Sequence, residues 1–412
     1  MRPATVIFLI LLGASIGIIG PIAATRSYRW NGRAGAERLA SVQSAVTDAG
    51  PFATSAQGDV FVGGQNGTWF QQGQFPRLSQ LSLQNETYVQ LHPVRSEGTV
   101  WGGGYNGSQL LVSGWGSDDG SPGPYVWLYN GAQVVTEGSL DEYGQASTWS
   151  GGDVFAASYN GYEWLLSGLG SGVLPTYSDD AINHMGLGTF NGSVFTDLSS
   201  LVPEQQDAIL YTNAWNGQYW LVGGGGPSDN GVLFTFDGKN VHDLTPLAEN
   251  AIASFGSVQS IAWNGSYWLI GGVGFLAEFD GTTFTDLTQR LTSQLGTNNS
   301  TVNAIAWNGQ TWMLGGGTPI VQLTTGHAWI ASYNSTSLVD LASALPSYMA
   351  NETQTSSILS IAVSNGMWIL GGYSGDQGVL LAYHGGFLTD DSNLVSGFTY
   401  VDWVSGLQDI SF

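Results

Sequence analysis

The chain has 412 residues, no cysteine and only 10% charged residues, with 31 Asp and Glu against 9 Lys and Arg. The absence of cysteine excludes a structural disulfide, a thiolate metal site and a c-type haem. With a net charge of −22, the chain has too few cations to neutralise a phosphate backbone, so nucleic-acid binding is not expected.

The N-terminus begins with an uncharged apolar segment, residues 4–20. This segment is short for a transmembrane helix and slightly long for the apolar region of a cleaved signal peptide. Arg2 provides the preceding positive charge, and residues 22–24 are a candidate cleavage site. Residues 1–25 are therefore predicted to be a signal peptide or an uncleaved signal anchor, and either alternative exports the rest of the chain. Residues 26–50 are predicted to form a juxtamembrane stalk or a short helix.

From residue 57 onward the chain repeats the motif Trp-Asn-Gly-x-x-Trp-[Leu/Met]-[Ile/Val/Leu]-Gly-Gly. Full copies begin at Trp215, Trp263 and Trp307, looser copies begin at Tyr105, Tyr159 and Ser364, and residues 57–64 form a degenerate first copy. An alternating strand, a tight turn and another strand follow each Gly-Gly pair, as in residues 276–287. The copies are spaced by about 51 residues on average, which is the length of a four-stranded propeller blade.

The tight turns are Asn-Gly or Asp-Gly pairs between alternating apolar runs, which predict β-hairpins. A type I′ turn needs positive φ at both central positions, and Asn and Gly tolerate it best. Each repeat therefore predicts two hairpins, or four strands. One such sheet cannot bury both of its faces, whereas closure of the repeats into a ring buries them against neighbours.

The repeat resembles the kelch-type propeller, the architecture of the central domain of galactose oxidase. In this resemblance residues 268–272 form the second strand, Phe279 is the aromatic residue of the third strand and Phe284 that of the fourth. A Trp-rich relative of the sialidase-like or two-component-regulator propellers would present a similar pattern. The resemblance covers about residues 54–405 and implies an architecture rather than an activity.

The predicted fold is all-β, a seven-bladed β-propeller of four-stranded blades that spans residues 51–412. One N-terminal hydrophobic helix precedes it. Two ways of closing the ring are open. Either a C-terminal strand near residues 398–404 completes it, or N-terminal residues pair into the last blade.

The connections between second and third strands, and between a fourth strand and the next repeat, are predicted to be long loops on one rim. They span residues 115–124, 136–145, 169–187, 199–209, 225–231, 245–256, 288–303, 317–327 and 373–377. Loops on a rigid scaffold are where binding concentrates, and carboxylates beside aromatic rings suit sugars, cations or a basic partner. The candidate ligand-binding residues are Trp115, Asp118, Asp119, Tyr143, Tyr177, Asp179, Asp180 and Asp229. The alternative is that these Asp residues only cap turns.

The sequence also contains many Asn-x-Ser/Thr sites. They are Asn66, Asn85, Asn106, Asn191, Asn264, Asn298, Asn299, Asn334 and Asn351. Several fall in the tight turns, so glycosylation would cover that rim and leave the long-loop rim free for a ligand. The alternative is that Asn-Gly-Ser/Thr arises because hairpins need Asn-Gly.

No sequence motif of a known enzyme class appears. There is no Gly-x-Ser-x-Gly, His-Glu-x-x-His, phosphate loop or dinucleotide fingerprint. Residues 118–120 and 178–180 lack the full set of calcium ligands, and the five histidines are expected to be solvated or structural. No metal site and no cofactor are predicted, and the Gly-Gly pairs are interpreted as packing positions between blades.

The sequence favours an exported, membrane-tethered recognition module on the cell surface or outside the cell. Its partner would be a glycan, a cell-surface protein or a neighbouring subunit. Two alternatives stay open. One is a secreted glycoside hydrolase or lyase that uses paired carboxylates on the long-loop rim. The other is a structural subunit of a surface layer or a membrane complex.

Overall fold

The computed structural model describes residues 59–66, 75–82, 87–91, 97–117, 123–130, 134–144, 149, 152–171, 183–203, 208–226, 230–296, 301–317, 326–350, 355–364 and 366–406. The predicted signal segment, N-terminal helix and stalk lie outside these residues. Within the ranges given, no helix combines the length and the apolar character that a membrane span requires.

The described part of the chain is nearly all β. Its strands are β1 (Asp59–Asn66), β2 (Phe75–Ser82), β3 (Thr87–Leu91), β4 (Glu97–Tyr105), β5 (Leu110–Ser117), β6 (Gly123–Tyr129), β7 (Val134–Ser139), β8 (Asp153–Tyr159), β9 (Trp164–Ser171), β10 (Asn183–Phe190), β11 (Phe195–Asp197), β12 (Ile209–Trp215), β13 (Trp220–Gly225), β14 (Gly231–Phe236), β15 (Val241–Asp243), β16 (Val258–Trp263), β17 (Trp268–Gly272), β18 (Phe275–Phe279), β19 (Phe284–Asp286), β20 (Thr301–Trp307), β21 (Trp312–Gly317), β22 (Trp329–Tyr333), β23 (Leu338–Asp340), β24 (Ser356–Ser364), β25 (Met367–Ser374), β26 (Gln377–His384), β27 (Phe387–Asp390) and β28 (Tyr400–Gly406). The helices are α1 (Leu140–Tyr143), α2 (Thr245–Ala251) and α3 (Thr288–Leu295).

The strands pair antiparallel in consecutive four-stranded units, as the repeat predicted. The sheet orders are β28-β1-β2-β3, β4-β5-β6-β7, β8-β9-β10-β11, β12-β13-β14-β15 and β16-β17-β18-β19, followed by β20-β21-β22-β23 and β24-β25-β26-β27, which a single pair between Gly317 and Ser357 joins into one sheet. We number these units 1 to 7 in this order.

The first strands of the units follow one another around a common centre. β28, β4, β8, β12, β16, β20 and β24 each lie against the first strand of the next unit, and β24 lies against β28. Sheets that radiate from such innermost strands form a β-propeller.

The C-terminal strand completes the first unit. β28 pairs with β1, so it takes the innermost position of unit 1. The closure predicted near residues 398–404 is therefore confirmed. The alternative, N-terminal residues in the last unit, is not needed for closure, because β24 occupies the innermost position there.

The two glycines of each Gly-Gly pair make room for different neighbours. A Cβ atom on Gly223 would lie 2.5 Å from Cγ1 of Val258, on the innermost strand of the next unit. A Cβ atom on Gly224 would lie 1.9 Å from the carbonyl oxygen of Ile209, on the innermost strand of its own unit. The first glycine thus permits packing between units and the second permits packing within a unit, which confirms the interpretation as packing positions.

The turn between β26 and β27 has positive φ at both central positions, Gly385 and Gly386, as a type I′ turn requires. The turns after Trp263 and its equivalents differ from that prediction. Gly265 has a φ of 93°, but Ser335 is the one non-glycine residue in the described part with positive φ, so Asn264 has an ordinary backbone conformation. The Asn264 side-chain oxygen instead accepts the N–H groups of Ser266 and Tyr267, at 2.9 and 2.8 Å. The turn is a four-residue loop held by the Asn side chain, a role that Asp and Asn share.

The connections after the fourth strands were predicted to be loops. Three of them instead contain the helices α1, α2 and α3. Before α2, the Asp243 carboxylate accepts the N–H of Thr245 at 2.9 Å. The Thr245 hydroxyl accepts the N–H of Leu233 at 3.0 Å and donates to the Leu233 carbonyl at 3.2 Å. Equivalent contacts follow Asp197, Asp286 and Asp390. This Asp-x-Ser/Thr arrangement ties the start of the connection to the third strand.

Candidate functional site

Each innermost strand contains one extra residue at the same point of its pairing. In β16, Val258 pairs with Gly272 and Ser260 pairs with Gly271, so Gln259 is left between them as a β-bulge. The seven bulged residues, which we call the bulge ring, are Trp101, Phe155, Tyr211, Gln259, Asn303, Leu359 and Asp402. Bulges re-aim a side chain and often mark functional positions.

Side chains of the bulge ring make contacts from one unit to the next. The ring of Phe155 lies 5.3 Å from that of Trp101 and 5.5 Å from that of Tyr211, measured between centroids. Asn303 reaches the next unit and donates to the Ser357 hydroxyl at 2.8 Å. Because these side chains come from innermost strands and touch across units, we infer that they surround the propeller axis.

The composition of the bulge ring is uneven around the axis. Three aromatic members are consecutive, and two amide members are consecutive farther round. Every member except Asp402 is partly exposed. The residue before each bulge is apolar and buried in every unit, whereas the bulged residue varies in chemistry.

Asp402 is the buried member of the bulge ring. Its residue is 9% exposed, and neither carboxylate oxygen has a hydrogen-bond partner within the described residues. Burial raises the pKa of the Asp402 carboxyl well above its ordinary value. An unpaired buried charge is costly, so this side chain is the most unusual group at the axis.

Two tyrosines lie near Asp402, and a second carboxylate, Asp376, lies near one of them. The rings of Tyr373 and Tyr400 meet edge to face with centroids 5.1 Å apart. Burial is the main reason that the pKa of Tyr400 rises to about 12, and the charges of Asp376 and Asp402 add to the shift. Burial also raises the pKa of Tyr373, with a contribution from Asp402. Asp376 is exposed in the two-residue turn between β25 and β26, so the long loop predicted at residues 373–377 is a tight turn. This group, which we call the Asp402 cluster, extends from the axis to that turn on the long-loop rim.

A second polar side chain with an unsatisfied hydrogen-bonding atom, Gln65, lies beside β28, the strand that contains Asp402. Gln65 is completely buried and its backbone pairs with Tyr400. Its side-chain oxygen accepts from the Thr99 hydroxyl at 2.8 Å, but its Nε2 donor has no partner within the described residues. The boundary between units 1 and 2 therefore carries an unused donor.

The structure describes two of the predicted ligand-binding residues. Trp115 is 5% exposed and belongs to β5 rather than to a loop. Tyr143 ends α1, and its ring packs 5.4 Å from that of Phe190. The others, which are Asp118, Asp119, Tyr177, Asp179, Asp180 and Asp229, lie outside the described residues. Their role in ligand binding stays a prediction.

The bulge ring is absent from the residues predicted from the sequence, because ligand-binding residues are expected on loops. A signal is nevertheless present in the repeat. Residues 258–263 and 302–307 agree closely in packing pattern, yet the second residue is Gln in one and Asn in the other, and it is Trp, Phe, Tyr, Leu or Asp elsewhere. A position that varies in chemistry within an otherwise regular frame is a candidate for recognition.

Within the described residues, no group of three or more His, Cys, Asp or Glu side chains could hold a metal ion. The bulge ring and the Asp402 cluster carry groups that suit an organic ligand. Aromatic rings, amides and a carboxylate can together contact sugars, amines or the side chains of a partner.

No protein-family model and no curated protein matches the chain. Solved structures do match. An acylaminoacyl peptidase from Pyrococcus horikoshii has 8% identity and a TM-score of 0.48, with 82% of this chain and 51% of the peptidase covered. The β-propeller domain of the Trilobed protease from Pyrococcus furiosus has 8% identity and a TM-score of 0.46, with 82% and 93% covered. Chaetomium thermophilum Sqt1 has 12% identity and a TM-score of 0.40, with 70% and 86% covered. The chain spans about half the length of the peptidase.

Proposed function

We propose that the chain is an exported, membrane-tethered, seven-bladed propeller of kelch-like type that acts as a recognition module. The cyclic succession of seven innermost strands supports the blade number. The Gly-Gly pairs on the second strands favour the kelch-like type. The apolar segment at residues 4–20 supports export and tethering.

The observation that carries the recognition role is the bulge ring. The packing positions of the repeat hold similar residues in every unit, whereas the residue type at the bulge position differs between units. A binding surface on a rigid scaffold requires this combination. The partner would be a glycan, a cell-surface protein or a neighbouring subunit. This partner would approach from the long-loop rim, where the Asp402 cluster reaches the surface.

We expect Tyr211→Ala to weaken binding of the full-length chain, solubilised in detergent, to its ligand on a glycan array. The loss should be at least about tenfold, since aromatic residues at the centre of a site dominate binding energy. Tyr162→Ala is the matched control, because Tyr162 is 81% exposed in a tight turn on the opposite rim, and it should bind like the wild type.

Equal loss in both tyrosine variants would contradict an axial site. If the wild type binds nothing on the array, the same pair of variants is compared in crosslinking to native membranes. Capture of a partner that Tyr211→Ala abolishes supports a protein partner. Failure of both assays would overturn the recognition role.

Export carries its own prediction, glycosylation of the tight turns. Asn191 and Asn334 are exposed, and the side-chain oxygen of Asn334 already accepts the turn N–H of Ser337 at 2.8 Å. A glycan attached to the side-chain nitrogen would leave that bond intact. We therefore expect the full-length chain, expressed in a eukaryotic secretory host, to carry glycans at both residues by mass spectrometry.

The control is Thr336→Ala, which removes the acceptor motif at Asn334 but keeps the Asn side chain. This variant should lose the glycan at Asn334 alone. Unmodified asparagines at every motif, together with protein recovered from the cytosol, would contradict export.

A further inference from the structure

Asp402 has no structural reason to be a carboxylate. The equivalent positions in the other units hold Trp, Phe, Tyr, Gln, Asn and Leu, so the bulge accepts neutral side chains of several sizes. An isosteric Asn would avoid the cost of burying a charge. Among the described residues this acid has no hydrogen-bond partner, so a bound cation is one source of the counter-charge that it needs.

The basic side chains that the structure describes do not supply this counter-charge. Lys239 lies in an exposed tight turn. Arg290 stands over the ring of Tyr333, with its guanidinium carbon 5.9 Å from the centroid. Neither residue is near unit 1, so neither neutralises Asp402.

The surroundings favour an organic cation over a metal ion. A metal ion needs several oxygen, nitrogen or sulfur ligands, and no group of three candidate side chains exists among the described residues. Aromatic faces instead attract weakly hydrated ammonium groups. Tyr400 lies two residues before Asp402, and Trp101 follows Asp402 around the bulge ring because β28 lies against β4. Both a counter-ion and aromatic walls are thus present.

We propose that the axis of the propeller binds a small organic ammonium ion, with Asp402 as its counter-ion and with Tyr400 and Trp101 as aromatic walls. This assignment rests on the proposed recognition role and specifies the chemistry of the ligand.

The test is isothermal titration calorimetry of the full-length chain with choline and with 3,3-dimethylbutan-1-ol, its neutral isostere. Choline should bind saturably at pH 8, and the neutral isostere should bind at least about tenfold more weakly, because it lacks the charge that Asp402 attracts. Tetramethylammonium and butylammonium serve as further cationic probes.

Asp402→Asn should lower the affinity for choline at least about tenfold while the near-UV circular dichroism stays that of the wild type. The matched control is Asp376→Asn, which removes an exposed carboxylate of the same cluster and should change the affinity less than about threefold. Tyr400→Phe keeps the aromatic wall and should bind choline like the wild type, whereas Tyr400→Ala should not.

The affinity should also depend on pH in one direction. The cation binds the ionised carboxylate, and burial favours the protonated form in the free protein. Affinity should therefore rise with pH until Asp402 is ionised, and binding should release protons to the buffer. The facing groups are Tyr373, Tyr400 and Asp376. The two tyrosines stay neutral through this range, and the Asp376→Asn variant reports any contribution from Asp376.

Three outcomes would overturn the assignment: equal binding of choline and its isostere, unchanged choline affinity in Asp402→Asn, or no heat with any cationic probe at pH 8. If the chain still binds on the glycan array or captures a membrane partner in any of these cases, the recognition role survives and only the ammonium site fails. If every assay is negative, both fail.

Discussion

Gly224→Ala is expected to lower the free energy of unfolding by at least about 3 kcal/mol, or to prevent folding. The added Cβ atom would lie 1.9 Å from the carbonyl oxygen of Ile209 and 2.8 Å from Cα of Leu210. Both atoms belong to backbone that pairs with β13, so no side-chain rotation relieves the overlap. Urea unfolding followed by tryptophan fluorescence measures the effect.

Gly397→Ala is the matched control for this substitution. A Cβ atom on Gly397 meets nothing within 4 Å, and its backbone is not in the left-handed region. The free energy of unfolding should then change by less than about 0.5 kcal/mol, as at ordinary surface positions. A Gly224→Ala protein as stable as Gly397→Ala would contradict the packing role of the second glycine.

The first glycine of the pair should behave differently because its neighbours are side chains. A Cβ atom on Gly223 would lie 2.5 Å from Cγ1 of Val258 and 3.0 Å from Cδ1 of Ile261. Gly223→Ala should destabilise the protein, and Val258→Ala in the same chain should recover part of the loss. Since Val258 belongs to the next unit, recovery would measure coupling between neighbouring units directly. No partner substitution should rescue Gly224→Ala.

Much of the fold was predictable because the residue types of the repeat indicate which positions pack and which positions turn. The Gly-Gly pairs, the aromatic residues around them and the tight turns together predict four-stranded units. The closing strand was predictable as well. Val401 and Val404 have the apolar character of an innermost strand, and unit 1 lacks such a strand at its own start.

The bulge was not predictable from apolar alternation. One extra residue changes the face of every later side chain in the strand, and sequence alone does not locate that residue. In β28, strict alternation would place Asp402 on the same face as Val404, although Val404 packs in the core cluster with Val401. The site at the axis follows from the bulge, so it was hidden for the same reason.

Local chemistry explains the two other differences. Asn-Gly usually indicates a type I′ turn and so predicts positive φ at Asn264, whereas the Asn264 side chain holds a longer loop. The sequence predicts a loop at residues 245–256 because they connect a fourth strand to the next repeat. The Thr245 hydroxyl satisfies the third strand there, and the chain can then begin α2 directly.

Truncation after Thr399 is expected to abolish the compact monomer. It removes β28, and with it Val401 and Val404, which pack against Val60 and Ile369 in one core cluster. Each buried valine contributes about 1.5–3 kcal/mol, and each lost ladder hydrogen bond adds about 1 kcal/mol. The sum is comparable with the whole stability of a typical domain, about 5–15 kcal/mol. Size-exclusion chromatography with light scattering and near-UV circular dichroism would detect the loss.

Truncation after Gly406 is the matched control, because it keeps β28 whole and should leave a monomer with the wild-type spectrum. In the chain truncated after Thr399, the edge of β1 that pairs with β28 is left unpaired. An unpaired strand edge can pair with strands of other chains. A synthetic peptide with the sequence of residues 400–406 should therefore restore the monomer by strand addition. A peptide with Val401 and Val404 replaced by Asp should fail, since its strand edge is intact but its core side chains are not. A truncated chain that stays monomeric and folded without any peptide would show that the ring does not depend on its C-terminal strand.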